Sequence, residues 1–169
     1  MYDRLKDIFH NVNDWLKFAE AKHGALVALN SGVIYGILSV YRQFPFIPSC
    51  VIFISVCLLG TSIFLSFLSL FPRSEKKDLK KKKPAGANLF FSKDLCLYSA
   101  EDLKEELNKR SNTAHVFTGL EDDLIHQIIL NSYISTRKYK LFKIAIITTF
   151  CAFVGPLLFA FAHLLKWCW

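Results

Sequence analysis

Glycine and proline are scarce in this chain, seven and five among 169 residues, and neither forms a cluster. Without a glycine-rich turn there is no loop whose backbone N–H groups could cradle a nucleotide phosphate in the P-loop manner. A G-x-S-x-G nucleophile turn is missing too. The five histidines, His10, His23, His115, His126 and His163, sit in separate stretches and none pairs at a metal-ligand spacing with a third partner. The five cysteines show no metal-ligand spacing either. Cys50 lies near the start of one apolar stretch and Cys168 just beyond another, so both would be near the outer face of a membrane, where an oxidising compartment could join them. Packing as small apolar residues is the commoner use of such cysteines. Three consecutive acids, Glu121, Asp122 and Asp123, suit the first turn of a helix, where the dipole favours negative charge. No catalytic constellation remains, so no enzyme, no metal and no cofactor are expected.

Charge is the other absence. Residues 25–41 and 46–71 carry no charged side chain, and 141–165 carry one lysine, Lys143, near their start. Crossing a bilayer takes about 20 predominantly apolar residues. The second and third stretches meet that length, while the first is shorter and interrupted by Asn30, Ser31 and Ser39. The expected fold is an all-α integral membrane protein with three transmembrane helices, 24–41, 46–71 and 141–165.

What is present completes the layout. Residues 1–23 mix acids and bases, with Leu5, Ile8, Phe9, Val12, Trp15, Leu16 and Ala19 at three- and four-residue spacings. That pattern predicts an amphipathic helix rather than a signal peptide, and no breaker separates it from the first apolar stretch. Pro45 and Pro48 mark a turn before the second stretch, and Pro72 follows it. Segment 73–98 is basic, then aromatic. Ser99 followed by Glu101 and Asp102 predicts a capped helix ending at Ser111 and Asn112. Thr118 and Glu121 form a capping-box pair, and the stripe Leu120, Leu124, Ile125, Ile128, Ile129, Tyr133, Ile134 follows. With no breaker before Gly155 and Pro156, the cytosolic helices of 99–140 are expected to end in a long stalk helix that continues into the last span.

Basic residues orient the chain. Fifteen of the twenty-one lie between Arg73 and Lys143, and the C-terminal end has only Lys166. Lysine and arginine stay on the cytoplasmic side, so the N-terminus and the middle segment are placed inside and the C-terminus outside. For Lys80, Lys81, Lys82 and Lys83 two readings stand: a grip on anionic headgroups, worth about 1 kcal/mol per lysine near the surface, or a phosphate-binding strip.

Polar residues inside the spans carry information. An amide at Asn30 is costly in lipid unless it pairs or meets water. Two uses fit Asn30 and Ser31: interhelical hydrogen bonding with close packing at Gly32 and Gly36, or the lining of an aqueous path. Thr148 and Thr149 can return their hydroxyls to a carbonyl one turn back. Phenylalanines such as Phe159 could close a pore by dewetting or could face lipid.

Three motifs resemble the Pycsar-type transmembrane effectors of bacterial anti-phage defence. Trp15, then Ala19, Glu20, Lys22 and Gly24, then an apolar turn closing on Asn30, is the first. Asn88-Leu89-Phe90-Phe91, followed by Leu97, Ser99 and Glu101, is the second. Segment 127–135 with Arg137, Lys138 and Tyr139 before the last span is the third. A departure is Ser92-Lys93-Asp94, where the family often places a glycine. The resemblance implies a membrane effector paired with a nucleotidyltransferase or cyclase, whose nucleotide second messenger or short oligonucleotide makes the effector compromise the bacterial inner membrane. On that footing we expect a nucleotide-regulated oligomeric pore or ion channel, a homo-oligomer of about four copies by ring closure. Asn88, Phe90, Phe91 and Lys93 are the expected nucleotide contacts, with Lys80–Lys83, Arg137 and Lys138 adding positive field. A base can stack on an aromatic ring while cations meet phosphate. The alternatives are a non-conducting scaffold that docks a cytosolic partner through 120–134, and a protein that disrupts bilayers without any ligand.

Overall fold

The computed structural model describes residues 1–43, 47–71 and 86–167, and every regular element among them is a helix. They are α1 (Tyr2–Val40), a 3₁₀ turn (Tyr41–Gln43), α2 (Ser49–Leu70), α3 (Ser92–Leu95), α4 (Ala100–Ser111) and α5 (Gly119–Trp167). Pro45, Pro72, Lys80–Lys83, Cys168 and the proposed Cys50–Cys168 pairing lie outside the described residues. The chain divides into two compact units: Met1–Glu20 with Pro72–Tyr139, and Ala21–Phe71 with Lys140–Trp169.

The first unit is a small helical bundle. Leu5, Ile8 and Val12 of α1 pack with Leu103 and Leu107 of α4 and with Ile125, Ile128 and Ile129 of α5, while Ala87, Leu89, Leu95 and Tyr98 close one side. The amphipathic stripe of α1 is thus the buried one, and Trp15 meets Tyr139 edge-on, their ring centroids 6.0 Å apart. Local chemistry sets the helix ends. Ser99 Oγ accepts from Asp102 N at 3.1 Å and caps α4. Asn112, in the left-handed region at φ 50, ends it, a conformation asparagine tolerates better than most residues. At α5 the capping box closes in both directions: Thr118 N–H donates to Glu121 Oε2 at 3.0 Å and Glu121 N–H to Thr118 Oγ1 at 3.4 Å.

Segment 88–98 contains the single helical turn α3. Asp94, within α3, reaches back to accept from Asn88 N at 3.0 Å and holds the turn closed.

The second unit gathers residues of α1, α2 and α5. Two helices are candidate spans, Ser49–Leu70 and Gly119–Lys166, with mean hydropathy 2.5 and 2.3 over their most apolar windows; of the second, the part from Lys140 onward belongs to this unit. Three spans were expected, and two described helices meet the test of length and apolarity. Residues 25–41 fall short because Asn30, Ser31 and Ser39 dilute the run, and its 17 residues rise only about 25 Å against a hydrocarbon core of about 30 Å. The two apolar helices leave large side chains uncovered: Phe53, Phe64, Phe150 and Phe161 are each more than 60% exposed. A water-soluble core helix would hide such residues; a lipid-facing one has no reason to.

α5 runs on through Pro156. Proline lacks an N–H, so the Ala152 carbonyl one turn back loses its helical donor. Gly155 precedes it, and without a Cβ it escapes the clash that normally pushes a residue before proline out of the helical region.

Candidate functional site

Three places in the described structure bring chemistry-bearing residues together. In the first unit, Asn88 Oδ1 accepts from Phe90 N at 2.9 Å, and Phe91 N donates back to the Asn88 carbonyl at 3.0 Å. Asn11 Nδ2 donates to the Phe90 carbonyl at 2.6 Å, and Arg110 Nη2 to that of Ala87 at 2.6 Å. The turn is therefore pinned at four points, and it presents Phe90 and Phe91 outward, 53% and 45% exposed, beside an exposed Lys93. The hydrogen bonds fix the backbone of the turn, which limits where the two exposed rings can meet a planar ligand. Of the cations expected to support them, Lys138 is buried and its ammonium lies 2.5 Å from Glu20 Oε1, while Arg137 is half-buried on α5. Asp94 was not foreseen as part of this turn; an acid six residues after an asparagine is too weak a pattern to predict it.

In the second unit, fully buried Asn30 donates through Nδ2 to Ser62 Oγ at 2.9 Å and to Thr149 Oγ1 at 3.0 Å, tying α1 to α2 and α5. Ser62 in turn donates to the Ala145 carbonyl at 2.8 Å. Thr149 Oγ1 reaches the same carbonyl at 3.1 Å, one turn back, and Thr148 Oγ1 that of Ile144 at 2.9 Å. Of the two uses open to Asn30, interhelical hydrogen bonding is the one seen. The close packing expected at Gly32 and Gly36 is not: nothing lies within 4 Å of a Cβ placed on either. The close approach is at Gly155, where an added Cβ would stand 2.8 Å from Val51 Cγ1. Ser31 is exposed, and Phe159 is 39% exposed. Ser62 was missed from sequence although a signal existed: Ser55, Ser62, Ser66 and Ser69 share one face of α2, and all four are buried.

Near the start of α5, Glu121 is 4% exposed and its carboxylate meets His115 Nε2 at 2.9 Å. The Thr118 backbone N–H, then the hydrogen bond from His115, hold its carboxyl below the ordinary carboxylate range. A lowered folded-state value means stability that is present above the ordinary range and lost as pH falls through the lowered one. Glu121→Gln should lower the stability of the folded protein by about 1 kcal/mol at neutral pH. It should also flatten the acid limb of a thermal-midpoint profile taken from pH 7 to pH 3. An unchanged acid limb would remove Glu121 from the pH response.

Exposed apolar flanks, a polar cluster closed within the apolar unit, and a separate capped-helix unit define a membrane-embedded all-helical protein. The profile that describes the Pycsar effector protein domain matches residues 4–165. The chain belongs to that family, and it is a Pycsar anti-phage effector with a membrane role. No curated protein and no solved structure matches it.

Proposed function

We propose that the protein is a nucleotide-regulated, oligomeric pore of the bacterial inner membrane. Copies of the chain assemble into a ring of about four, and the last span lines the opening. The second half of α1 serves as a third span, shortened and polar because its amide is used against α2 and α5. The N-terminus faces the cytosol, and the regulating nucleotide comes from a partner nucleotidyltransferase or cyclase.

The observation that carries this reading is the continuity of α5. One helix gives Ile125 and Ile128 to the core of the first unit and Thr149 and Gly155 to the second. A ligand that favours one arrangement of the first unit then biases the apolar segment through unbroken backbone, by a population shift equal to its differential affinity. The scaffold alternative is weakened by the same helix, since Ile125, Ile128 and Ile129, part of the face it would use for docking, are buried in the chain's own core.

Ion flux from liposomes containing the purified protein tests the proposal, with and without a panel of cyclic nucleotides and short oligonucleotides. Flux switched by one compound, in discrete single-channel steps, is the expected result. Silence under every condition would sink the pore; irregular leakage that follows dose and ignores ligand would replace it with simple bilayer disruption.

A further inference from the structure

The second unit is apolar outside and polar within. On α2, Ser55, Ser62, Ser66 and Ser69 lie on one face, and all four are buried. Asn30 and His23 of α1 are fully buried, and Thr149 of α5 nearly so. The outward faces carry Phe53, Phe64, Phe150 and Phe161 instead. We propose that the serine face of α2 holds water at Ser66 and Ser69, and that it forms, with Thr149, the wall of the conducting path. The second half of this proposal rests on the regulated-pore reading; the first stands on the residues alone.

Two hydroxyls carry the argument. The Oγ atoms of Ser66 and Ser69 are buried, and neither has a hydrogen-bond partner among the described residues. A serine in a helix has a local remedy, a bond back to the carbonyl one turn earlier. The same unit uses that remedy elsewhere. Ser39 Oγ donates to the Tyr35 carbonyl at 2.8 Å, Thr61 Oγ1 to that of Cys57 at 2.8 Å, and Thr148 Oγ1 to that of Ile144 at 2.9 Å. Ser39 and Thr61 are exposed and Thr148 is half-buried, and lipid offers such hydroxyls no other acceptor. Ser66 and Ser69 face inward and leave the remedy unused. A stranded hydroxyl is costly. Water, which both donates and accepts, relieves it at a small cost in order.

The neighbouring helices supply a second observation. Val51 meets Gly155 and Ser62 meets Thr149, so α2 runs antiparallel to α5. Ser69, seven residues past Ser62, is carried about 10 Å along α2 from that contact and arrives level with Phe142. There the buried His23 ring packs edge-on to Phe142, with centroids 5.4 Å apart. One polar level is thus Asn30, Ser62 and Thr149, bonded among themselves. The other is Ser69 and His23, with Ser66 between the two. Buried water makes about three hydrogen bonds, and Ser66 and Ser69 supply two of them. Ser69 is one residue from the end of α2, so this level lies at one end of the span, where water is nearest.

The path follows from the faces. An aqueous path needs polar walls, and an apolar constriction dewets. The outward faces of α2 and α5 would line an opening with phenylalanine. The serine face runs from Ser69 through Ser62 to Ser55, interrupted only by Leu59. The bonds at Asn30 close it. Opening breaks the two that Asn30 donates, and water at Ser66 then continues past Ser62.

Thiol accessibility tests the water, and flux tests the path. Ser66→Cys, Ser69→Cys, Thr61→Cys and Phe150→Cys are made singly in full-length protein whose five native cysteines are replaced by alanine. In nanodiscs each meets a charged, water-soluble methanethiosulfonate, which reacts with the thiolate, and apolar burial keeps a thiol protonated. Ser66→Cys and Ser69→Cys should react at least tenfold faster than the two outward positions. Two separate serine positions keep the test open if one variant fails to fold. Equal rates at all four positions, slow or fast, overturn the water site. In liposomes, under whichever ligand condition conducts, the charged adduct at either serine should cut ion flux at least tenfold. Flux that the adducts leave unchanged overturns the wall assignment. The pore reading fails separately: fast reaction at the serine positions without flux under any condition sinks the pore and keeps the water site. Nucleotide-switched flux with both serine positions unreactive does the reverse.

Discussion

Replacing Asn30 with alanine is expected to destabilise the membrane unit by about 2 kcal/mol, read as the midpoint shift of reversible unfolding in mixed micelles. Each interhelical hydrogen bond within a membrane averages about 0.6 kcal/mol and reaches about 1.7. Asn30 donates two and leaves a void when truncated. The hydroxyls it abandons do not become orphans, because Ser62 and Thr149 both retain the Ala145 carbonyl within reach. That retained acceptor is why the loss stays below the several kcal/mol of a stranded polar group. The double variant Asn30→Ala with Ser62→Ala should lose less than the sum of the singles, since both remove one shared bond. Plain additivity, or an Asn30→Ala midpoint equal to the parent's, would show that the three-helix cluster is not a coupled unit.

The second large effect belongs to Gly155. Alanine there places a Cβ 2.8 Å from Val51 Cγ1, closer than carbon atoms tolerate. Valine inside a helix is nearly confined to one side-chain rotamer, so Val51 cannot swing aside cheaply and α2 must shift from α5. A loss of about 1–3 kcal/mol is expected, the usual range for overpacking. Gly155→Ala in a helix would otherwise gain about 1 kcal/mol from backbone propensity, so the steric term has to outweigh a favourable one. Val51→Ala supplies the check: in that background most of the loss should return. Any part that does not return is the cost of a Cβ immediately before Pro156. If Val51→Ala restores nothing, the contact between these two side chains is not what limits the packing.

What could be read in the sequence follows the range of the interactions. Helix ends at Ser99, Asn112 and Thr118 were legible because a cap and its partner lie within three or four residues of each other. The continuity of α5 was legible too, from the lack of any breaker before Gly155. Asn30 was recognisable as a polar group in need of a partner, yet its partners are 32 and 119 residues away. No local pattern could select Ser62 from the four serines on its face of α2. The glycines misled for a related reason: a missing side chain is visible in sequence, whereas the facing helix is not. Gly32 and Gly36 looked like packing notches, and Gly155 is the one that is used. At the turn around Asn88 the aromatic pair was singled out by the family resemblance.

The division of the chain into interleaved units has a consequence for its birth. The core of the first unit needs Leu5, Ile8 and Val12 from one end of the sequence and Ile125 and Ile128 from far beyond α2. At the pace of bacterial translation, about 5–20 residues per second, the early stripe leaves the ribosome on the order of ten seconds before its last partners exist. During that interval α2 has to enter the bilayer and the chain has to come back out of it. The first piece made is among the last to be finished. A nascent chain stalled shortly after Phe71 would hold an uncovered oily stripe beside a membrane. That is an opening for a chaperone, a protease or a premature encounter between copies, long before any phage signal arrives.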